Sequence, residues 1–219
     1  MKNIQEQEIT FAGQLLKLTN QRVVYWPAEK AIILSDLHVG KAAHFRKSGI
    51  ALPQQVATRD MERLQYLINH YQPEKVVITG DLLHAGMNSE VALLRDIILK
   101  TINCEFLLIK GNHDRLPDRT FAELGIGLVA DSLVLRDIHF THGDRPFADT
   151  AHTVSGHLHP GVHVAVGRKS TMRFPCFVLS DTQLILPAFS LFSGLDTSCI
   201  PDGAFCYAIY EDGLFAVSC

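Results

Sequence analysis

The feature that most constrains the fold is a series of short, wholly apolar runs separated by stretches with helical periodicity. The runs AIIL at residues 31–34, VVI at 76–78 and FLLI at 106–109 are typical of buried strands. Apolar residues recur at three- and four-residue steps between the first two runs, which predicts a helix there. A second helix, capped by Asn88 or Ser89, is predicted between the last two. Strands that alternate with helices indicate a parallel sheet built by right-handed crossovers.

The rest of the sequence favours strands. The first thirty residues alternate between polar and apolar, which predicts two or three antiparallel strands with turns at Gly13 and at Thr19–Asn20. After residue 130 the helical signal fades and strand-like runs dominate. We therefore predict an α/β (α+β) protein in which two packed mixed β-sheets are flanked by helices. No repeat or Pro/Gly-rich linker divides the sequence, so residues 1–219 are expected to form a single domain.

Composition and charge exclude several classes of protein. The chain is 47% apolar and 20% charged, which excludes a disordered protein. No apolar run reaches the ~18 residues of a transmembrane helix, and the N-terminus MKNIQEQEITF lacks the apolar segment of a secretory signal. The five cysteines form no CxxC pair and are expected to be reduced. These observations predict a cytoplasmic protein without membrane association. The net charge of −3 gives no global electrostatic reason to bind nucleic acid, although a local basic patch can still do so.

Polar clusters directly follow five apolar runs, in the segments AIILSDLHVG, VVITGDLLH, FLLIKGNHD, IHFTHGD and TVSGHLHP. Loops at the carboxyl ends of parallel strands converge on one crevice, so these clusters meet if the runs are neighbouring strands. Carboxylate, imidazole and amide groups are ligands of Mn²⁺, Fe and Zn²⁺, and there are too many here for one ion. The residues expected to meet are Asp36, His38, Asp81, Asn112, His113, Asp114, His142, His157 and His159.

Two divalent ions that share one carboxylate use this set of ligands economically, and such a pair is the standard device for phosphoester hydrolysis. Each cluster alone has a structural alternative. An Asp-x-His pair occurs by chance, Gly-Asp after a strand is a common turn, and GNHD can be a turn followed by a helix cap. Five clusters in this order exceed what turn chemistry produces, so the sequence favours a metal centre.

The order D-x-H, G-D, G-N-H-D, H-G and G-H-x-H resembles that of the calcineurin-like metallophosphoesterase superfamily over residues 31–160. The resemblance implies a four-layer sandwich of two sheets flanked by helices, with a di-metal site that Asp81 bridges. It implies that one ion is bound by Asp36, His38, Asp81 and His159, and the other by Asp81, Asn112, His142 and His157.

A narrower resemblance covers most of the chain. The segments DLHVGKAAHFRKSG, GDLLH, SGHLHPGV, PCF and LILPAFSLFSG are similar to the ligase-associated DNA-damage-response endonucleases, the PdeM group, which usually has glycine and threonine in place of Ser190 and Ser193. Members are described as phosphodiesterases and nucleases encoded beside an ATP-dependent DNA ligase and a helicase. The resemblance therefore implies DNA as substrate, and the ligase and helicase as partners.

Five further residues are candidates for roles other than metal binding. His113 is predicted to be the general acid, oriented by Asp114, which agrees with the family. His84 resembles a histidine that faces the substrate phosphate in double-strand-break repair nucleases of the superfamily; a structural role is the alternative. Lys41 and Arg46 follow the first motif on what we expect to be a mobile loop, either binding phosphate or acting as solvated surface charges.

The sequence therefore predicts a two-metal phosphodiesterase or nuclease that acts on DNA in a repair context, with Mn²⁺ favoured and Fe or Zn²⁺ as alternatives. A metal-dependent phosphodiesterase or phosphatase for a small phosphoester is a second hypothesis. A non-catalytic scaffold with the same fold is a third, which the complete set of seven ligands disfavours. The sequence leaves open whether the chain is a monomer or a homodimer.

Overall fold

The fold consists of two mixed β-sheets with flanking helices, as predicted. The computed structural model describes residues 3–51, 55–84, 86–129, 132–143, 151–167 and 170–218. No helix in these ranges is long and apolar enough to cross a membrane.

The first sheet joins an antiparallel half to a parallel half. Its described strands, in order across the sheet, are β1 (Glu6–Phe11), β2 (Gln14–Thr19), β3 (Val24–Trp26), β4 (Ala31–Leu34), β5 (Lys75–Thr79), β6 (Glu105–Ile109) and β7 (Gly127–Val129). The strands from β1 to β4 pair antiparallel, with the predicted turn at Gly13, and those from β4 to β7 pair parallel. The predicted crossovers therefore place the carboxyl ends of β4, β5 and β6 side by side.

The described α-helices all precede the second sheet in the chain. They are α1 (Lys41–Lys47), α2 (Gln55–Tyr71), α3 (Ser89–Lys100) and α4 (Asp118–Glu123), with a short 3₁₀ turn at Pro27–Glu29. Asn88 caps α3, as predicted: its side-chain oxygen accepts the N–H groups of Glu90 at 2.9 Å and Val91 at 3.1 Å. Buried side chains of α2, α3 and α4 pack on the outer face of the first sheet.

The second sheet has β9, β10 and β13 as parallel neighbours at its centre. Its strands are β8 (Ser132–Leu135), β9 (Ile138–Thr141), β10 (His152–Ser155), β11 (Gly161–Ala165), β12 (Thr171–Leu179), β13 (Gln183–Ile185), β14 (Phe205–Tyr210) and β15 (Gly213–Ser218). They run in the order β15-β14-β12-β13-β10-β9-β8, and β11 pairs with β12. The apolar run at residues 132–141 is a hairpin rather than one strand, since the chain turns at Arg136, where φ is 50°.

A shared core holds the inner faces of the two sheets together. Trp26 and Ile33 of the first sheet belong to the same buried cluster as Phe140 and Phe177 of the second. Burying a large apolar side chain stabilises the fold by roughly 1.5–3 kcal/mol. This core fixes the carboxyl ends of β9 and β10 beside those of β4 and β5.

The cysteines differ from the expectation in one respect. Cys104, Cys176 and Cys199 are free thiols, as predicted. Cys206 is disulfide-bonded, so the prediction that all five are reduced is wrong for this residue.

Candidate metal centre and active site

The predicted polar clusters meet at one edge of the sandwich. In the first sheet, Asp36 and His38 follow β4, Asp81 follows β5 and Asn112 follows β6. Backbone hydrogen bonds join the loops. The N–H of Asp36 donates to the carbonyl oxygen of Gly80 at 3.1 Å, and the N–H of His38 donates to the carbonyl oxygen of Asp81 at 2.9 Å. The convergence that the strand pattern predicted is therefore present.

The second sheet supplies three histidines to the same edge. His142 follows β9, and His157 and His159 follow β10. The backbone N–H of His157 donates to Asp36 Oδ2 at 3.0 Å, and His142 Nδ1 lies 2.8 Å from the Thr79 carbonyl oxygen. These bonds tie the strand ends of one sheet to those of the other.

The first group of candidate ligands consists of Asp36, His38 and His159. The Nε2 atoms of the two histidines are 3.3 Å apart, and His159 Nε2 is 3.2 Å from Asp36 Oδ1. Asp36 Oδ1 and His38 Nδ1 are buried and have no hydrogen-bond partner among the described residues. Asp36 Oδ1 faces the Nε2 atoms of both histidines, since that of His38 lies 4.0 Å away, and the three ligand atoms of the group lie within 4.8 Å of one another.

The second group consists of Asp81, His142 and His157, with Asn112 beside them. His142 Nε2 lies 3.4 Å from Asp81 Oδ1, 3.3 Å from Asn112 Oδ1 and 3.2 Å from His157 Nδ1. The Thr79 carbonyl oxygen can only accept a hydrogen bond, so His142 Nδ1 donates to it, and in the neutral ring Nε2 carries a lone pair. The Nε2 lone pair therefore faces the Asn112 oxygen, an arrangement that a cation between them stabilises.

The carboxylate of Asp81 lies between the two groups. Its Oδ1 faces His142, whereas its Oδ2 lies 4.0 Å from His38 Nε2 in the first group. One carboxylate oxygen therefore faces each group, which is one of the ways in which a carboxylate bridges two ions.

The spacing of the donor atoms fits two metal ions. Ligand bonds of about 2.1 Å in tetrahedral geometry separate neighbouring donors by roughly 3.4 Å. The closest nitrogen and oxygen atoms in each group lie 3.2–3.4 Å apart. The two groups thus match a di-metal centre in donor type and in spacing.

Protonation states in the site suit metal binding. Burial lowers the pKa of His38 to about 4, which keeps its imidazole neutral at physiological pH. Burial alone would raise the pKa of Asp81, but the contact with His142 lowers it to about 2, so the carboxylate is ionised. A neutral imidazole and an ionised carboxylate are the forms that coordinate divalent ions.

The loops that carry these ligands have an unusual backbone. A positive φ costs a residue other than glycine roughly 1–2 kcal/mol, although Asp and Asn tolerate it best. Tight turns with such residues aim neighbouring side chains in directions that a strand or helix cannot, which is how His157 and His159 reach different groups. The candidate ligands with positive φ are Asp36 (56°), His38 (48°), Asp81 (52°), His157 (76°) and His159 (49°).

Two glycines make the close approach possible. Gly80 has φ 87°, and a Cβ there would collide with the ring of His142. A Cβ at Gly111 would collide with the carboxylate of Asp81. Only a residue without a Cβ permits the close backbone approach at these two positions.

His113 lies next to the candidate ligands without belonging to either group. Its ring centroid is 5.4 Å from that of His38 and 4.9 Å from that of His84, on which it stacks at 26°. Its backbone N–H donates to Asp81 Oδ1 at 2.9 Å, which fixes the residue relative to the predicted bridging carboxylate.

Asp114 has other contacts than those predicted. We expected its carboxylate to orient the His113 ring, but it accepts backbone N–H groups of Leu83 at 2.9 Å, Gly111 at 2.9 Å and Leu82 at 3.3 Å. The carboxylate is buried and fastens the loop after β5 to the loop after β6. Asp114 is therefore a positioning residue for the two loops.

His84 and Lys41 lie at the rim of the site. The backbone N–H of His84 donates to the Val39 oxygen at 3.0 Å, which brings its ring to 5.7 Å from that of His38. The Lys41 ammonium lies 5.8 Å from the centre of the Phe192 ring. Burial lowers the pKa of Lys41, and the carboxylates of Asp36 and Asp81 attract its charge. His84 and Lys41, two of the predicted substrate-binding residues, therefore both lie close to the candidate metal centre.

The predicted mobile loop after the first motif is the helix α1, and Arg46 is already paired there. The buried Glu90 carboxylate accepts the Gly40 N–H at 2.9 Å and Arg46 Nη2 at 2.7 Å, so it holds both ends of the helix. Glu90 accepts from one Nη group of Arg46, whereas Nη1 is buried and has no partner among the described residues, so the contact of Arg46 with a substrate phosphate stays a prediction. The sequence contains no local signal for this pairing, since the two residues are 44 positions apart.

Sequence reasoning also missed a buried support behind Asp36. The segment 188–191 runs behind the loop after β4. There the N–H of Phe189 donates to the carbonyl oxygen of Ser35 at 2.7 Å, and the N–H of Ser190 donates to the carbonyl oxygen of Asp36 at 3.1 Å. Three charged side chains, of which Asp60 and Arg63 are buried and Arg22 is half-buried, hold the segment from the other side. Arg22 donates to the carbonyls of residues 188 and 190, Arg63 donates to that of Phe189, and Asp60 accepts the N–H of Leu191.

Comparisons with known proteins agree with this geometry. The family model for calcineurin-like phosphoesterases matches residues 30–174. The crystal structure of the Pseudomonas putida nuclease MPE is similar to this chain, with a TM-score of 0.79 and 30% identity over 93% of this chain and 96% of that one. A protein of unknown function from Aquifex aeolicus, AQ665, has a TM-score of 0.40 and 13% identity over 59% of this chain and 78% of that one, which is too low to support an argument. No curated protein matches the chain. The family model covers more than half of the sequence and the nuclease nearly all of it, so the chain belongs to the calcineurin-like phosphoesterase family.

Proposed function

We propose that this protein is a two-metal phosphodiesterase that hydrolyses DNA, with Mn²⁺ as the metal. The observation that carries the proposal is the position of Asp81, which directs one carboxylate oxygen to each of two groups of ligands. The family implies divalent ions, and the structural relative from Pseudomonas putida is a nuclease. Mixed nitrogen and oxygen ligation favours Mn²⁺ or Fe among the candidate metals.

The proposed metal ligands follow from the two groups. The first ion is held by Asp36, His38, His159 and Asp81, and the second by Asp81, Asn112, His142 and His157. When bound, the two ions activate water as the nucleophile and neutralise the charge that develops on the phosphoryl oxygens.

The remaining chemistry belongs to side chains beside the ligands. His113 donates a proton to the leaving oxygen: neither group of ligands uses its imidazole, and its ring lies closer to His38, at 5.4 Å, than the ring of His84 does, at 5.7 Å. Asp114 keeps the loop of His113 in register with that of Asp81 through three backbone hydrogen bonds. His84 and Lys41 contact the non-bridging oxygens of the substrate phosphate, a role that their position at the rim of the site supports. A repair context, DNA ligase and helicase partners and a cytoplasmic location are also proposals, which rest on the resemblance and on composition.

The test is a comparison of substrates with defined metal content. Protein stripped with a chelator and then supplied with Mn²⁺ is assayed on bis-p-nitrophenyl phosphate, p-nitrophenyl phosphate, single-stranded DNA and double-stranded DNA. We expect hydrolysis of the aryl diester and of DNA, both abolished by chelation. Full activity of the stripped protein would overturn the proposal. Hydrolysis of aryl diesters with no cleavage of any DNA at low salt would replace DNA with a small phosphodiester as the substrate.

A further inference from the structure

A groove leads away from the candidate metal ligands on the side of His113. Its volume is about 270 Å³, near the lower limit of clefts that hold small-molecule groups. The ring of His113 contributes to the wall of this groove and is also a neighbour of His38. The groove therefore begins where His113 meets the metal centre. The described residues that line it are Leu83, His84, Gly86, His113, Arg115 and Leu116.

Arg115 is the lining residue that always carries a positive charge. Its Nε donates to the backbone oxygen of Asn112 at 3.0 Å, and its backbone N–H donates to the backbone oxygen of His113 at 2.8 Å. The two bonds fold residues 112–115 into a tight turn, so that Arg115 and His113 line the same groove. Sequence reasoning did not single out Arg115, because nothing in GNHD-R distinguishes it from a solvated surface charge.

The guanidinium of Arg115 is available to a ligand. Within the described part of the chain, the arginines that pair with a carboxylate are Arg46, Arg63 and Arg136. Among the described residues, the Arg115 side chain bonds only to that carbonyl oxygen, through Nε, which leaves both Nη groups without a partner there. The planar fork of a guanidinium matches two oxygens of a phosphate.

The position of His113 sets the direction of the substrate. A general acid must lie within hydrogen-bond reach of the leaving oxygen, so the leaving part of the substrate extends past His113 into the groove. We propose that the groove binds the leaving nucleotide and that Arg115 contacts the next phosphate on that side of the scissile bond. This inference rests on the proposed function, and it identifies the substrate as a strand that continues beyond the cleaved bond.

A kinetic experiment tests the inference with dinucleotides of thymidine. The substrates are the dinucleotide without a terminal phosphate, with a 5′-phosphate and with a 3′-phosphate, all with Mn²⁺. We expect one phosphorylated form, the one whose added phosphate lies on the leaving nucleotide, to be hydrolysed with a roughly tenfold higher kcat/KM, the effect of one charge-assisted hydrogen bond. Arg115→Ala should remove that advantage and leave the unphosphorylated dinucleotide and bis-p-nitrophenyl phosphate within twofold of wild type.

The matched control is Arg119→Ala, which removes the same charge from the exposed side of α4 and should keep the advantage. Binding gives a second measurement that does not depend on turnover. In a His113→Ala background with Mn²⁺, Arg115→Ala should lower the slope of log Kd against log salt for a single-stranded oligonucleotide by about 0.7, the value for one phosphate contact, whereas Arg119→Ala should not.

Three outcomes would overturn the inference. Wild type that gains nothing from either terminal phosphate would show that the groove does not recognise one. An equal loss on all substrates in Arg115→Ala would show that this residue supports Asn112 rather than the substrate. Both results leave the proposed function intact if the dinucleotides are still cleaved. No hydrolysis of any diester would overturn the proposed function itself, and the inference with it.

Discussion

The floor and the rim of the site are built by different principles. The floor comprises the seven candidate ligands at the strand ends, and the rim comprises α1, His84 and residues 113–116. Floor residues follow the strands directly and are held by backbone bonds between neighbouring loops. In the rim, by contrast, the helix α1 is held at both ends by a side chain from a distant part of the chain, Glu90 on α3. The floor therefore depends on topology, whereas the rim depends on tertiary packing.

This difference predicts that a substitution in the floor lowers both metal binding and the rate of hydrolysis. A substitution in the rim should change the rate of hydrolysis, substrate binding or stability without loss of the metal ions.

The largest effect is expected for Asp81→Asn, because the residue faces both groups of ligands. Metal content should fall for both ions, and kcat on bis-p-nitrophenyl phosphate should fall on the order of 10³-fold or more, since the charge stabilisation by metal ions amounts to several kcal/mol. Metal analysis and steady-state kinetics measure the two losses.

A matched control for Asp81→Asn is Asp202→Asn, which makes the same change at an exposed residue outside the site. It should retain both ions and full activity. Asp81→Asn protein that keeps two ions and more than a tenth of the activity would contradict the bridging role.

The second prediction concerns His113, the residue of the rim that we propose as the general acid. His113→Ala should keep both ions and lose roughly 10²–10⁴-fold in kcat on DNA, as expected for a general acid. The loss should be much smaller on nitrophenyl esters, because nitrophenolate leaves without protonation. Parallel rate measurements on the two kinds of substrate check this, and equal losses would mean that His113 positions substrate instead.

The smallest effect on catalysis is expected for Arg46, whose Nη2 donates to the Glu90 carboxylate. Arg46→Ala should lower the free energy of unfolding by about 1–3 kcal/mol, because a buried carboxylate loses a charged partner. The rate of hydrolysis of bis-p-nitrophenyl phosphate should change less than about twofold, because this substitution in the rim affects stability and not catalysis.

Urea denaturation and diester kinetics measure the two quantities for Arg46→Ala. Lys47→Ala, at an exposed position of the same helix, is the control and should change neither. A large loss of DNA binding in Arg46→Ala with unchanged stability would instead support the predicted contact of Arg46 with a substrate phosphate.

The same difference explains how much the sequence could reveal. The floor could be predicted because each cluster directly follows an apolar run and parallel strands bring their ends together. The helix α1 could not, because it depends on Glu90, 44 residues away from Arg46. The segment 188–191 could not either, since Asp60 binds Leu191 across 131 residues. Motif order within a fold of known topology locates ligands, but contacts between distant side chains are set only by packing.

The five ligands with positive φ have a consequence for how this protein can change. Glycine would occupy each of these turns with less strain than aspartate or histidine, so a sequence selected only for heat resistance would lose its ligands one by one. Activity and thermal stability are therefore opposed at these positions. Engineering for stability should begin in the shared core and on the outer faces of the helices, and should leave the strand-end turns unchanged.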